Sequence, residues 1–240
     1  MKVFVVSLTR SIERRERVQR LLDQEGVDFE FFDAVDGSLP NFTHSEKSRE
    51  RITRARKGYQ MHENELACFA SHYEVWQHCI KLNEAIIVLE DNVDPVGPIK
   101  EVLTSAFAQI NYYGYIKLSA TIKQTFHKII SLVNGYDLGG YSSGTCGTTA
   151  YIISPSTAEL FVKNAQTFLE PVDDYMEKPW RHGVQVYSVY PDLFSRAKVM
   201  STIGSKRKDK SQMTLFNKIY AEFFRTYESI LRFISWKNKS

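Results

Sequence analysis

The sequence predicts an α/β fold with a mainly parallel central sheet and helices on both faces, and three observations carry that prediction. The first 35 residues read strand, helix, strand; apolar runs without polar alternation recur along the chain; and amphipathic stretches separate them. Residues 85–94 (A-I-I-V-L-E-D-N-V-D) are the clearest run, a strand buried on both faces that stops at a cluster of carboxylates. In open α/β sheets, ligands bind at the carboxyl ends of the strands. Acidic groups gathered there are costly until something neutralises them, and a bound cation does so readily.

In chain order, residues 3–8 form a first buried strand. Ser11 caps a charged helix over 12–25, with Glu13 in its first turn and Gly26 just past its end. Residues 29–32 are a second strand closing on D-A-V-D-G (33–37), and the basic stretch 41–58 is a surface helix or loop. Residues 63–82 set Leu66, Phe69, Ala70, Tyr73, Trp76 and Ile80 on one helical stripe, leading directly into the strand at 85. After Pro95 and Pro98 come an amphipathic helix (99–110) and a strand (115–118), with another strand at 126–132. A glycine-rich loop (139–147) precedes a strand at 149–153. Ser154-Pro155 opens a helix by the cap-then-proline pattern, P-V-D-D (171–174) opens the next, and 184–189 is a late strand. Between 215 and 236, Phe216, Ile219, Tyr220, Phe223, Tyr227, Ile230 and Ile234 recur at helical spacing.

With 240 residues, 43% hydrophobic and 13% aromatic, the chain can bury a full core as one domain or as a domain with an appendage. The net charge is only +3, yet from Arg196 onward eleven Lys and Arg face three Asp and Glu, a surplus of eight that leaves the remainder at −5. That distribution argues for a local anionic partner and against whole-surface nucleic-acid binding. Cys68 and Cys79 fall on one predicted helix, where eleven residues span roughly 16 Å, beyond the about 7 Å a disulfide bridges. The absence of Cys-x-x-Cys speaks against a thiolate zinc site. No signal peptide or membrane-spanning run is legible, so a cytosolic protein with reduced thiols is expected, and the sequons at Asn41 and Asn238 read as chance matches.

Glu90, Asp91, Asn92 and Asp94 are the candidate metal ligands, because hard oxygens at a strand end suit Mn²⁺ or Mg²⁺; the alternative is a solvated acidic turn. His72 and His78 lie about 240° apart around a helix and cannot clasp one metal together. A lone His at 72 is more often a packed, hydrogen-bonded residue than a ligand or base. Ser71 and His72, adjacent on a helix, diverge and are no nucleophile–base pair. Lys117, on an otherwise apolar strand, requires an anion, either phosphate or carboxylate.

Taken together, V-F-V-V-S-L-T-R-S-I-E-R-R, F-F-D-A-V-D-G, E-x-A-C-F-A-S-H-x-x-x-W and I-V-L-E-D, followed by Y-I-K-L, G-T-T-A-Y-I-I-S and P-V-D, resemble glycosyltransferase family 25. That family includes bacterial lipopolysaccharide and lipo-oligosaccharide glycosyltransferases and collagen galactosyltransferases. The resemblance runs in order over residues 1 to about 200. It implies a GT-A type, Rossmann-like nucleotide-binding fold, a UDP-sugar donor (frequently UDP-galactose) and inversion to a β-linkage.

Matched position by position, it implies that Ser7, Leu8 and Arg10 line the nucleotide pocket, with Arg14 as a charge partner and a helix N-terminus favouring phosphate. Asp33, Ala34 and Asp36 would contact base or ribose, unless they only build an Asx turn. His72, Lys117, Gly147 and Thr148 are assigned to the donor; the loop 144–149 either contacts a substrate or forms a flexible lid. Asp91 is placed in the catalytic centre. Asp173 or Asp174 would take the acceptor's proton, unless they merely cap a helix.

One departure stands out: the family reads L-E-D-D where this chain has Asn92, whose carbonyl can ligate a cation but carries no charge. Asp94 compensates if the backbone stays extended; otherwise the enzyme is metal-independent, or is an impaired nucleotide-sugar-binding or scaffolding relative. Residues 1–200 are thus expected to be the transferase domain. Residues 201–240 are expected to be a basic amphipathic helix on the inner face of the cytoplasmic membrane, near a lipid-linked oligosaccharide acceptor. The alternative is that its apolar stripe docks on the protein's own core. No nucleic-acid partner is expected, since the aromatics follow helical spacing and do not form a stacking platform.

Overall fold

Strand β1 (Lys2–Ser7) has Val3, Phe4, Val5 and Val6 all buried, as a strand covered on both faces requires. The structure is a computed structural model that describes residues 1–197 and 215–237, without the side chains of 215–217 and 236–237. The basic cluster 206–210, the Asn238 sequon, Lys239 and the side chains of Phe216 and Lys237 lie outside this description.

Helix α1 (Ile12–Gln24) follows β1, and β2 (Glu30–Asp33) returns parallel to it. Helices α2 (Glu50–Lys57) and α3 (Glu63–Leu82) lead into β3 (Ile86–Glu90), parallel to β1 on its other side. Next come β4 (Val93–Pro95), α4 (Ile99–Phe107), α5 (Ile110–Tyr113) and β5 (Tyr115–Lys117). A hairpin of β6 (Phe126–Ser131) and β7 (Asp137–Tyr141) precedes β8 (Ala150–Ile153), α6 (Pro155–Asn164), α7 (Val172–Met176) and α8 (Pro179–His182). Strands β9 (Tyr187–Tyr190) and β10 (Phe194–Arg196) and helix α9 (Leu215–Lys237) complete the chain.

The main sheet runs β2-β1-β3-β8-β5-β9-β7-β6, and its pairings set six strands in one direction with β7 and β8 opposed. Side chains alternate across it. Phe4, Val6, Ile86 and Val88 join a core with Phe69 and Trp76 of α3 and Phe161 of α6; Val3, Val5, Ile87 and Leu89 face Val18 and Leu22 of α1 and Val102 and Leu103 of α4. Helices therefore cover both faces, as the pattern predicts.

Local chemistry sets several boundaries. His62 caps α3 in a reciprocal box: its ring accepts the Asn64 N–H at 3.2 Å while Glu65 accepts the His62 N–H at 3.0 Å. Ser154 caps α6, but Ser11 makes no side-chain cap on α1. The expected glycine loop at 139–147 begins as strand, because Gly139 and Gly140 pair within β7. A Cβ at Gly139 would stand 2.1 Å from the His127 carbonyl oxygen, so only glycine admits this approach. The ribbon β4–β10 carries no alternation long enough to read from sequence.

Helix α9 lies against α2 and α8. Its Glu228 enters a buried charge cluster, pairing with Lys57 (3.2 Å) and Lys178, which also hold Glu170 and Asp174. Ala221 is buried, whereas Ile219, Phe223, Ile230, Phe233 and Ile234 point to solvent. The stripe that carries Ile219, Phe223 and Ile230 is thus not what docks on the core; Ala221, the Phe224 ring under Arg56 and Glu228 are.

His182 is buried, accepting the Val184 N–H on Nδ1 at 3.1 Å, which leaves Nε2–H to donate to the Tyr175 carbonyl at 3.1 Å. Burial, only partly opposed by that carbonyl bond, lowers its pKa from 6.5 to about 3. A neutral histidine favoured by the fold contributes stability present above the unfolded value and lost as pH falls toward the folded one. Between pH 6.5 and 4.5 the unfolding free energy is expected to fall by up to about 1.4 kcal/mol per pH unit. Denaturant titrations across that range check this, with a shallower slope in His182→Gln.

Candidate functional site

A cleft open to solvent lies at the carboxyl ends of β1, β2 and β3. Ser7 ends β1, and its hydroxyl donates to Asp91 at 2.8 Å. Arg14, on α1, donates to the other Asp91 oxygen at 3.1 Å. The Asp91 carboxylate thus ties the first helix to the tips of two adjacent strands. Arg10 grips Asp36 bidentately at 2.5 and 3.0 Å, and that guanidinium holds the Asp36 carboxyl well below its usual range. Ser71, on α3, accepts the Val35 N–H at 2.9 Å and fixes the exit from β2.

Glu90 ends β3, where Thr148 donates to its carboxylate and His72 Nε2 stands 3.7 Å away. Burial opposes its ionisation, but hydrogen bonding and charge from His72 and the Thr148 bond outweigh that, leaving its pKa at about 2. Asp173, in the first turn of α7, accepts from the Gly147 N–H at 3.2 Å and the Asp174 N–H at 3.0 Å. Gly147 sits at φ +78°, and a Cβ there would meet Thr121 Oγ1 at 2.2 Å. Gly147→Ala is therefore expected to cost about 1–3 kcal/mol, which a thermal melt checks.

Of the residues singled out from sequence, the cleft brings together Ser7, Leu8, Arg10, Ala34, Asp36, His72, Glu90, Asp91, Asn92, Gly147, Thr148 and Asp173. Asp33, Asp94, Lys117 and Asp174 are not among its lining residues. Asp33 pairs with Arg15 at 2.5 Å on the exposed side of β2. Asp94 pairs with Arg17, because residues 91 and 92 form a turn that breaks the extended backbone needed to set 92 and 94 on one face. Lys117 is buried against Glu177, so its anion is a protein carboxylate. Asp174, rotated about 100° from Asp173 around α7, faces Lys57 and Lys178. Burial would raise its pKa, but those two cations outweigh burial and lower it.

Cys68 and Arg196 also line the cleft and were not singled out as site residues. Arg196 reaches it only because β10 pairs with β4, a contact that leaves no local signal. Cys68 precedes His72 by four positions, a spacing that does mark a shared helix face.

The carboxylates of Glu90 and Asp91 share the cleft with Asn92, whose buried Oδ1 has no hydrogen-bond partner. Two carboxylates and an orphaned carbonyl oxygen lining one cleft are hard-oxygen donors of the kind that Mn²⁺ or Mg²⁺ takes, with the two Asp91 oxygens held by Ser7 and Arg14. Fold and site together define an α/β protein with carboxylates and arginines gathered in one cleft at the strand ends. The chain belongs to glycosyltransferase family 25 (LPS biosynthesis protein), whose model matches residues 1–176.

A lipooligosaccharide biosynthesis protein, lic2B, of Haemophilus influenzae is 31% identical over 63% of this chain and 58% of its own length. A glycosyltransferase 25 family member of Drosophila melanogaster is 29% identical over 73% of this chain and 30% of its own length. Procollagen galactosyltransferase 2 of Homo sapiens is 27% identical over 79% and 32%, respectively. The chain thus spans less than two thirds of each of these relatives. A solved Drosophila β1,4-galactosyltransferase 7 with manganese, UDP-Gal and xylobiose aligns with 93% of this chain and 79% of its own at 13% identity. Its TM-score is 0.43, a likeness too loose to bear on function.

Proposed function

We propose that the chain is an inverting GT-A type glycosyltransferase that moves a hexose, galactose from UDP-galactose, onto a sugar of lipo-oligosaccharide or lipopolysaccharide. The observation that supports it most is the Ser7–Asp91–Arg14 junction at the strand ends, with Arg10 and Arg196 in the same cleft. Arginines so placed bind a sugar diphosphate and stabilise the charge that grows on departing UDP. Glu90, Asp91 and Asn92 would hold Mn²⁺ or Mg²⁺, which when bound adds Lewis-acid stabilisation of that leaving group. Asp173 lines the cleft and takes the proton of the attacking acceptor hydroxyl. Asp174, held by two lysines, is unsuited to that role.

Calorimetric titration with a panel of UDP-sugars, with and without Mn²⁺, followed by product analysis on truncated oligosaccharides, tests this reading. UDP-galactose is expected to bind and turn over. No binding of any UDP-sugar would sink the proposal, and binding without turnover would leave a nucleotide-sugar-binding protein.

The outward face of α9 supports peripheral attachment to an anionic membrane surface, on the cytoplasmic side where a lipid-linked acceptor would lie. Exposed Ile219, Phe223, Ile230, Phe233 and Ile234 sit on a helix with exposed Lys218 and Arg225. Among the described residues no helix is long and apolar enough to cross a membrane. Flotation with anionic vesicles is expected, and Phe223→Glu is expected to weaken it. Binding to an oligonucleotide instead of vesicles would overturn this part.

A further inference from the structure

We propose that Cys68, His72 and Glu90 form a binding site for a zinc-class divalent cation in the wall of the cleft, chemically distinct from the oxygen-only set at residues 90–92. The sulfur, imidazole nitrogen and carboxylate oxygen these residues offer lie within 4.8 Å of one another. Two of them come from α3 four residues apart, hence about 40° apart around the helix and on one face. The third comes from the tip of β3, which that face overlies.

Distances favour the assignment. A tetrahedral zinc site has bonds of about 2.0–2.3 Å, which places its ligand atoms roughly 3.3–3.7 Å apart. His72 Nε2 and Glu90 Oε1 already stand at 3.7 Å. The widest separation needs to close by only about 1 Å, within reach of a side-chain rotation.

The histidine is also braced as a ligand must be. Its Nδ1 lies 2.9 Å from the Tyr151 hydroxyl, whose oxygen also accepts the Trp76 Nε1–H at 3.2 Å, and all three side chains are buried. A metal-ligating imidazole engages its second nitrogen in this manner, which fixes ring orientation and tautomer. Cation binding replaces the Nε2 proton that faces Glu90, which passes to solvent, and the ring, with Nδ1–H donating to Tyr151, then offers its Nε2 lone pair to the metal. On binding, the Cys68 thiol releases its proton to solvent and the sulfur ligates as thiolate. Thiolate and imidazole select Zn²⁺ or Co²⁺ over Mg²⁺. All three residues line the cleft, so a fourth position opens onto it.

The site shares the cleft with the proposed transfer reaction, yet its test needs no nucleotide, so the two fail separately. Chelator-treated full-length chain titrated with Co²⁺ is expected to show tetrahedral d–d bands and a thiolate-to-cobalt charge-transfer band. Cys68→Ser should abolish that charge-transfer band and weaken binding about tenfold or more. Glu90→Gln should weaken binding while keeping the band, which preserves the test should Cys68→Ser fail to fold. Cys79→Ser, outside the cluster, should retain both. Zn²⁺ should displace Co²⁺, and Mg²⁺ in large excess should not. A cobalt complex without a thiolate band, unchanged affinity in Cys68→Ser, or displacement by Mg²⁺ would overturn the assignment.

Discussion

Lys117→Met is expected to lower the unfolding free energy by about 3–5 kcal/mol, the usual cost of deleting one partner from a buried ion pair. Lys117 Nζ donates to Thr145 Oγ1 at 2.9 Å and to the Cys146 carbonyl at 2.7 Å, and pairs with Glu177. Glu177 in turn accepts from the Thr145 N–H at 3.2 Å and its hydroxyl at 3.0 Å. Lys117 is 1% exposed and Glu177 8%, so water cannot take over from a lost partner. The pair therefore staples the segment that carries Gly147 and Thr148, whose contacts reach Asp173 and Glu90. Denaturant unfolding of Lys117→Met, Glu177→Gln and the double variant checks this. The double variant is expected to recover part of the loss; simple additivity would show that the two charges do not depend on each other.

If the proposed transfer reaction holds, Asp91→Asn is expected to reduce kcat/KM for UDP-galactose by about 10²–10³, the scale on which loss of one group that organises transition-state charge stabilisation acts. The substitution keeps the shape but removes the charge that meets Ser7 and Arg14. Asp94→Asn is the matched control. Its carboxylate faces Arg17, and Asp94 does not line the cleft, so turnover should change no more than about twofold, as for a surface pair. Steady-state kinetics at saturating Mn²⁺, with circular dichroism to confirm folding, separate the two. Equal losses in both variants would mean that the acidic cluster acts as a general field and that Asp91 has no special place in it.

The core helices and strands were legible because their causes are local. An apolar run at 85–89 ending in acids, a stripe on 63–82 and Ser154-Pro155 each state their own conformation, and β3, α3 and α6 form there. The short β7, β4 and β10 were not legible, because their pairing partners, not their own composition, make them strands.

At the site, the chain by itself determined which charges crowd the strand ends and which residues share a helix face. Only the tertiary structure decided where each charge points. One turn at 91–92 sends Asp94 to Arg17, one step around α7 separates Asp173 from Asp174, and packing of residue 177 beneath the loop hands Lys117 a protein carboxylate. The same holds for the meeting of Cys68 and His72 with Glu90, eighteen residues beyond His72. Periodicity is written along a chain, but the partner of a charge depends on strand order, register and helix rotation, which appear only when distant segments pack.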